Sequence, residues 1–155
     1  MISNLDRSIF NIVGDGPDRD YLMKLVSNLK LNEEVIFHGK LTREKLIGLL
    51  QNTDVVVSAS KLETFGVTII EALSCGIPVI ATRSGGPEEI INKENGILVE
   101  KDNISDLCSG LEKIYKNYNT FNHGEIRPDC LKKLGYGIIA DRLLDVYENL
   151  FSKNS

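Results

Sequence analysis

Two carboxylates, Glu63 and Glu71, stand with seven residues between them in the stretch LETFGVTIIEALSCGIPVIATRSGGPEE, Leu62 to Glu89. A Phe65-Gly66 step follows the first, and the second interrupts an apolar run from Val67 to Leu73. An acid inside such a run is costly unless something pairs with it. If the run is a helix entered at Gly66, its first backbone N–H groups and the positive end of its dipole make an anion site suited to phosphate. A carboxylate about a turn and a half further on could then accept hydrogen bonds from the vicinal hydroxyls of a ribose. Glu63, on the loop before the corner, could reach a sugar hydroxyl beyond the phosphates. Two plainer readings stand beside these: Gly66 only permits a tight turn, and Glu71 forms a structural ion pair with a base such as Arg83.

Either reading needs a frame, and the hydropathy pattern supplies one. Short apolar runs alternate with longer amphipathic ones, the pattern of an α/β domain with a parallel sheet. Strands are predicted at Ile9–Val13, Val35–Phe37, Asp54–Ser58, Ile77–Ala81 and Ile97–Val99. A helix over Asp18–Leu29 is expected to turn Tyr21, Leu22, Leu25, Val26 and Leu29 inward, and Thr42 to cap a helix burying Leu46, Leu49 and Leu50. Gly66 to Cys75 reads as a short buried helix, and Pro87 opens another with Glu88 and Glu89 at its positive end. Leu107, Leu111, Ile114 and Tyr115 mark the helix after the last strand. A polar loop, Asn117 to Gly124, precedes two closing helices. Ligands bind at the C-terminal ends of parallel strands, and there this chain places Gly14-Asp15-Gly16, Gly39-Lys40, Ser58 to Gly66, and Thr82 to Gly86. Gly14-Asp15-Gly16 is a weak dinucleotide signal, because Arg19 occupies the place of the third glycine.

The bulk properties narrow the class. The 155 residues suffice for one domain with a core; 42% are hydrophobic and 26% charged, as in a soluble globular protein. A net charge of −4 argues against a nucleic-acid partner. No apolar run approaches membrane-spanning length, and the N-terminal stretch lacks the make-up of a signal peptide. Cys75, Cys108 and Cys130 form no C-x-x-C pair, so neither a zinc site nor a disulfide framework is expected. A cytoplasmic location follows, with membrane association in a longer protein as its alternative.

The stretch Glu63-Thr64-Phe65-Gly66…Glu71-Ala72-Leu73-Ser74-Cys75-Gly76-Ile77-Pro78-Val79-Ile80-Ala81-Thr82, with Gly85-Gly86-Pro87-Glu88-Glu89-Ile90 and Asn95-Gly96-Ile97-Leu98-Val99 after it, resembles the group 1 glycosyltransferases. Upstream, Ile12-Val13-Gly14-Asp15-Gly16-Pro17 and Val35-Ile36-Phe37-His38-Gly39 fit the same pattern, so the likeness runs from about Phe10 to Ile114. It implies retaining, hexosyltransferase-type chemistry on a UDP- or GDP-linked sugar, with no cofactor; no metal-ligand cluster appears in the sequence, so no metal is expected either. Polysaccharide or glycolipid biosynthesis is a common setting for the family. The implied fold is a Rossmann-like three-layer sandwich with a mostly parallel sheet, the C-terminal half of the GT-B architecture. One domain over residues 1–155 is expected, with about 121–155 as a C-terminal helical extension. The resemblance makes Glu63 catalytic, contacting the transferred sugar, and gives the ribose to Glu71. The backbone of Thr64, Phe65, Gly66 and Val67 would meet the diphosphate or sugar. Gly39, Lys40 and Leu41 would border the base, and Gly14 would permit close approach of the donor. His38 and Cys75 would be structural, and His123 has no motif around it.

The family's donor domain opens with a strand ending in Gly-Arg, followed by a Lys, and the chain is expected to lack that strand. Lys40, Lys61 and Arg83 are the available substitute cations for the diphosphate. The sheet would then close by direct pairing of the first and third strands, in the order 2-1-3-4-5, or a second chain would fill the gap. The last helix carries a wide apolar face with Ile139, Leu143, Val146 and Leu150. That face would meet the acceptor domain that precedes the donor half in the family, or a second copy in a homodimer. The chain alone is expected to lack transferase activity. The competing readings are a nucleotide- or sugar-binding module without catalysis and half of a nucleotide-sugar epimerase.

Overall fold

The computed structural model describes residues 8–152. Residues 1–7 and 153–155, which include part of the stretch read for a leader and the end of the expected helical extension, lie outside the described residues. The chain divides into two compact units, with the division between Gln51 and Asn52.

In the first unit, β1 (Phe10–Val13), α1 (Arg19–Asn28), β2 (Val35–Gly39) and α2 (Arg43–Leu50) follow one another. The two strands are parallel, with Phe10 opposite Val35 and Ile12 opposite Phe37. The register slips after Ile12, so that Val13 faces Gly39. Thr42 caps α2 by accepting the Lys45 N–H on its hydroxyl at 3.5 Å, and Leu50 is buried beneath that helix. His38 Nε2 pairs with Asn11 Oδ1 at 2.7 Å, a bond that ties β2 to β1. The expected inner face of α1 is only partly realised. Leu22 and Val26 are half-buried, whereas Tyr21, Leu25 and Leu29 are exposed, since a two-stranded sheet covers only a narrow stripe of a helix.

The second unit holds β3 (Val56–Ser58), α3 (Val67–Ser74), β4 (Val79–Thr82), a single turn α4 (Pro87–Ile90), β5 (Gly96–Val99) and α5 (Ile104–Lys116). A 3₁₀ turn (Tyr118–Thr120), α6 (His123–Leu134) and α7 (Tyr136–Ser152) follow. The sheet is parallel, in the order β3-β4-β5. Its central strand is buried along its whole length, as expected where both faces of a parallel sheet are covered. Ile69, Ala72 and Leu73 of α3 are buried. Ile80, Val99 and Ile114 form a core cluster, against which Leu107, Leu111 and Phe121 pack. Tyr115 is exposed rather than inward-facing.

Of the two expected sheet arrangements, direct pairing of the first and third strands is not observed among the described residues. β1-β2 and β3-β4-β5 are separate sheets: β3 is only three residues long and gives its ladder to β4 alone. The loop expected between α5 and the closing helices is largely helical, ending where α6 begins at His123. On α7, Leu143, Val146 and Leu150 are each more than half exposed, so the apolar face is uncovered. No helix among the described residues is long and apolar enough to cross a membrane.

Candidate functional site

The Glu63 loop is built as an extension of the β3–β4 ladder past the ends of both strands. Glu63 pairs in parallel with Gly85. The Glu63 N–H donates to the Ser84 carbonyl at 2.9 Å, and the Gly86 N–H donates to the Glu63 carbonyl at 2.7 Å. Nearer the strand, the buried Thr82 hydroxyl donates to the Ser60 carbonyl. The chain then turns at Gly66, at φ +80°, and enters α3. A side chain there would crowd Ile69 Cδ1 at 3.2 Å as well as strain the backbone.

Gly66, the N-cap residue, offers α3 no side chain, and Glu63 braces the turn that leads into the helix. Its Oε1 accepts the N–H of Gly66 at 2.9 Å and of Phe65 at 3.2 Å. The bond from Gly66, then that from Phe65, holds the Glu63 carboxyl below its ordinary range. Two of the amides assigned to an incoming diphosphate thus carry an internal carboxylate. A group with a depressed pKa contributes stability above its unfolded pKa and loses it as pH falls through the lower, folded one. The Gly66 amide resonance is therefore expected to titrate with a midpoint below that of an ordinary glutamate in an NMR pH series. An ordinary midpoint would mean that these two bonds are not formed in solution.

Glu71 sits on the same helix but points away from the core. Ile69, Ala72 and Leu73 are buried whereas Glu71 is exposed, so the apolar run does not force an acid into the interior. The ion-pair reading of Glu71 is corrected: Arg83 engages Glu100 at 3.2 Å and Glu88 at 3.5 Å. The Glu71 carboxylate has no partner among the described residues. Of the substitute cations, Lys61 pairs with Asp102 at 3.1 Å, while Lys40 is exposed with no ion pair among the described residues.

The second unit thus brings Glu63, Thr64, Phe65, Gly66, Val67 and Glu71 onto one loop and one helix. In the first unit, the ends of β1 and β2 are tied by the Gly14 N–H donating to the Gly39 carbonyl at 2.8 Å. Both glycines have positive φ, +121° and +65°, and nothing lies within 4 Å of where a Cβ would stand on either. Lys40 and Leu41 follow directly. Sequence reasoning placed Thr82 to Gly86 at a strand end but gave a role to Arg83 alone; the signal for the others was the consecutive Gly85-Gly86 after a strand. All three cysteines are free, and no group of three or more His, Cys, Asp or Glu among the described residues is placed to hold a metal ion. A cavity of about 470 Å³ beside Thr64 and Phe65 has Glu89, Asp129, Lys133 and Arg142 in its walls, mixed charges that favour no single ionic ligand.

Comparison with known proteins places these features in a family. Residues 3–125 match the model of the glycosyl transferases group 1. The N-acetyl-alpha-D-glucosaminyl L-malate synthase of Bacillus anthracis is 37% identical over 152 residues, covering 97% of this chain and 39% of that protein. The crystal structure of a glycosyltransferase from Rickettsia africae superposes with a TM-score of 0.84 at 27% identity, over 99% of this chain and 43% of that one. Anabaena Alr3699/HepE, solved in complex with UDP, shares the fold at a TM-score of 0.81 and 23% identity, over 93% of this chain and 42% of its own. The chain therefore spans about two-fifths of the length of these proteins. With a family match across most of its residues and the fold of GT-B neighbours, the chain belongs to the group 1 glycosyltransferases.

Proposed function

We propose that this chain is the donor-binding part of a retaining, hexosyltransferase-type enzyme that moves a sugar from a UDP- or GDP-linked donor to an acceptor held by another domain. The observation that carries this reading is the unpartnered, exposed Glu71 on the helix that follows the Glu63-braced turn. Glu71 lies five residues beyond Gly66, about 7.5 Å along a helix axis, a reach suited to a ribose whose phosphates lie at the helix start. In this scheme Glu71 accepts the ribose hydroxyls and Glu63 contacts the transferred sugar. The N–H groups of Thr64 to Val67 stabilise charge on the departing diphosphate, fixed dipoles that need no reorganisation at the moment of reaction. When a donor binds, Glu63 gives up the amides of Phe65 and Gly66 and turns to the sugar. The roles of Gly14, Gly39, Lys40 and Leu41 follow from the family resemblance alone. No metal and no cofactor has a part in the scheme. The uncovered face of α7 is assigned to the acceptor domain, with a second copy of the chain as the alternative. The chain by itself then binds donor without turning it over.

An NMR titration of isotope-labelled chain with UDP, GDP and NADH tests the reading. Shifts at Gly66, Val67 and Glu71 with UDP or GDP support it and choose the base; UDP comes first because the HepE neighbour holds it. Shifts with NADH alone, or with none of the three, overturn it.

A further inference from the structure

We propose that Gly86, Gly85 and Thr82 are the positioning residues of this site, a backbone clamp that fixes where the Glu63 loop stands. The inference rests on the donor-site reading for its purpose but on bonds within the second unit for its geometry. Three bonds along one line hold the loop to the chain that leaves β4: the Thr82 hydroxyl to the Ser60 carbonyl, the Glu63 N–H to the Ser84 carbonyl, and the Gly86 N–H to the Glu63 carbonyl. Ser84 is itself buried, and its hydroxyl donates to the Thr82 carbonyl at 3.2 Å. The clamp closes only because its two glycines carry no side chain. A Cβ on Gly85 would stand 2.8 Å from the Glu63 carbonyl oxygen. One on Gly86 would stand 2.8 Å from the Thr64 oxygen and 2.9 Å from the Phe65 nitrogen. All three are backbone atoms, with no flexible end to swing aside.

The two glycines differ in what they require. Gly85 has φ +113°, so any side chain there is strained by the backbone as well as by contact. Gly86 has φ −47° and ψ −39°, ordinary helical values open to every residue. Its need for glycine comes only from the approach of Thr64 and Phe65. Gly86→Ala therefore displaces the loop without straining the residue's own backbone, and the loop it displaces carries Glu63 and the amides that Glu63 caps.

The test compares wild type, Gly86→Ala, Thr82→Val and Thr82→Ser by NMR amide hydrogen exchange and by UDP titration. In wild type the amides of Glu63, Gly66 and Gly86 exchange slowly. In Gly86→Ala and Thr82→Val they are expected to exchange about tenfold faster or more, while Val79 to Ala81 keep their protection, a local opening rather than unfolding. Thr82→Ser keeps the hydroxyl and is expected to restore the slow rates. Where wild type binds UDP, the loosened variants are expected to bind up to ~10²-fold more weakly, the order of loss that follows weakening of one or two hydrogen bonds to a charged group. Unchanged exchange at Glu63 and Gly66 in both loosened variants overturns the clamp. Faster exchange with undiminished UDP binding overturns its role in the site. A wild type with slow exchange that binds no nucleotide overturns the donor-site reading and, with it, the clamp's purpose, while the clamp itself stands.

Discussion

Glu71→Ala is expected to leave stability within about 0.5 kcal/mol of wild type and to weaken UDP or GDP binding by ~10²-fold. The first half follows from placement. Glu71 is exposed and makes no ion pair, and α3 is anchored by Ile69, Ala72 and Leu73 on its opposite side. The second half follows from chemistry: hydrogen bonds to a charged group contribute roughly 1.5–3 kcal/mol each, so losing two ribose hydroxyl contacts passes a hundredfold even after partial compensation by water. Calorimetric titration of the two proteins, with urea denaturation alongside, checks both halves. A variant that binds as tightly as wild type sinks the ribose assignment. One that unfolds more easily shows instead that Glu71 serves the fold.

Gly96→Ala is the variant expected to cost the most stability, about 3 kcal/mol, the upper end of what overpacking usually costs. Gly96 opens β5 opposite Val79 of the buried strand β4. A Cβ there would overlap the Val79 carbonyl and stand 3.2 Å from Ile91 Cγ2. Neither side can retreat, because the Val79 N–H donates to the Asn95 carbonyl at 3.0 Å and the Gly96 N–H to the Asn92 carbonyl at 3.0 Å. Urea denaturation followed by circular dichroism measures the loss. Gly137→Ala serves as the comparison, since nothing lies within 4 Å of its missing Cβ, and it is expected to be neutral or slightly stabilising. Equal midpoints for the two variants would falsify the packing argument.

What could be read in the sequence depended on how local its cause was. The β4 run Val79-Ile80-Ala81 announces a strand covered on both faces, and Thr42 and Pro87 mark helix starts through their own chemistry. The Glu63 and Glu71 pair was visible because its spacing lies within one segment. The environment of Glu71 was not. Val67 and Ile70 blur the period of α3, so a helix with one wet face looked wholly buried, and the acid seemed to need a partner it does not have. Strand order stayed hidden, since pairing joins residues far apart and no local signal tells β1 from β4 as the neighbour of β3. The clamp at Gly85 and Gly86 was hidden for the same reason: two glycines after a strand announce a turn, but not the Glu63 and Thr64 carbonyls that press against them.

The turn before β5 has a chemical consequence. An asparagine followed by glycine is the dipeptide that ages fastest in water, because the unhindered backbone nitrogen of the glycine attacks the side-chain amide and expels ammonia. Asn95-Gly96 is such a pair. Here the Asn95 side chain is buried, donating to the Ile90 carbonyl at 3.0 Å and accepting the Asn92 N–H at 2.8 Å. The attacking nitrogen is occupied by its own bond to the Asn92 carbonyl. Both reactants are engaged in hydrogen bonds of the fold, so the same bonds that start the strand protect its most perishable residue from turning into aspartate or isoaspartate, and that protection lasts only as long as the chain stays folded.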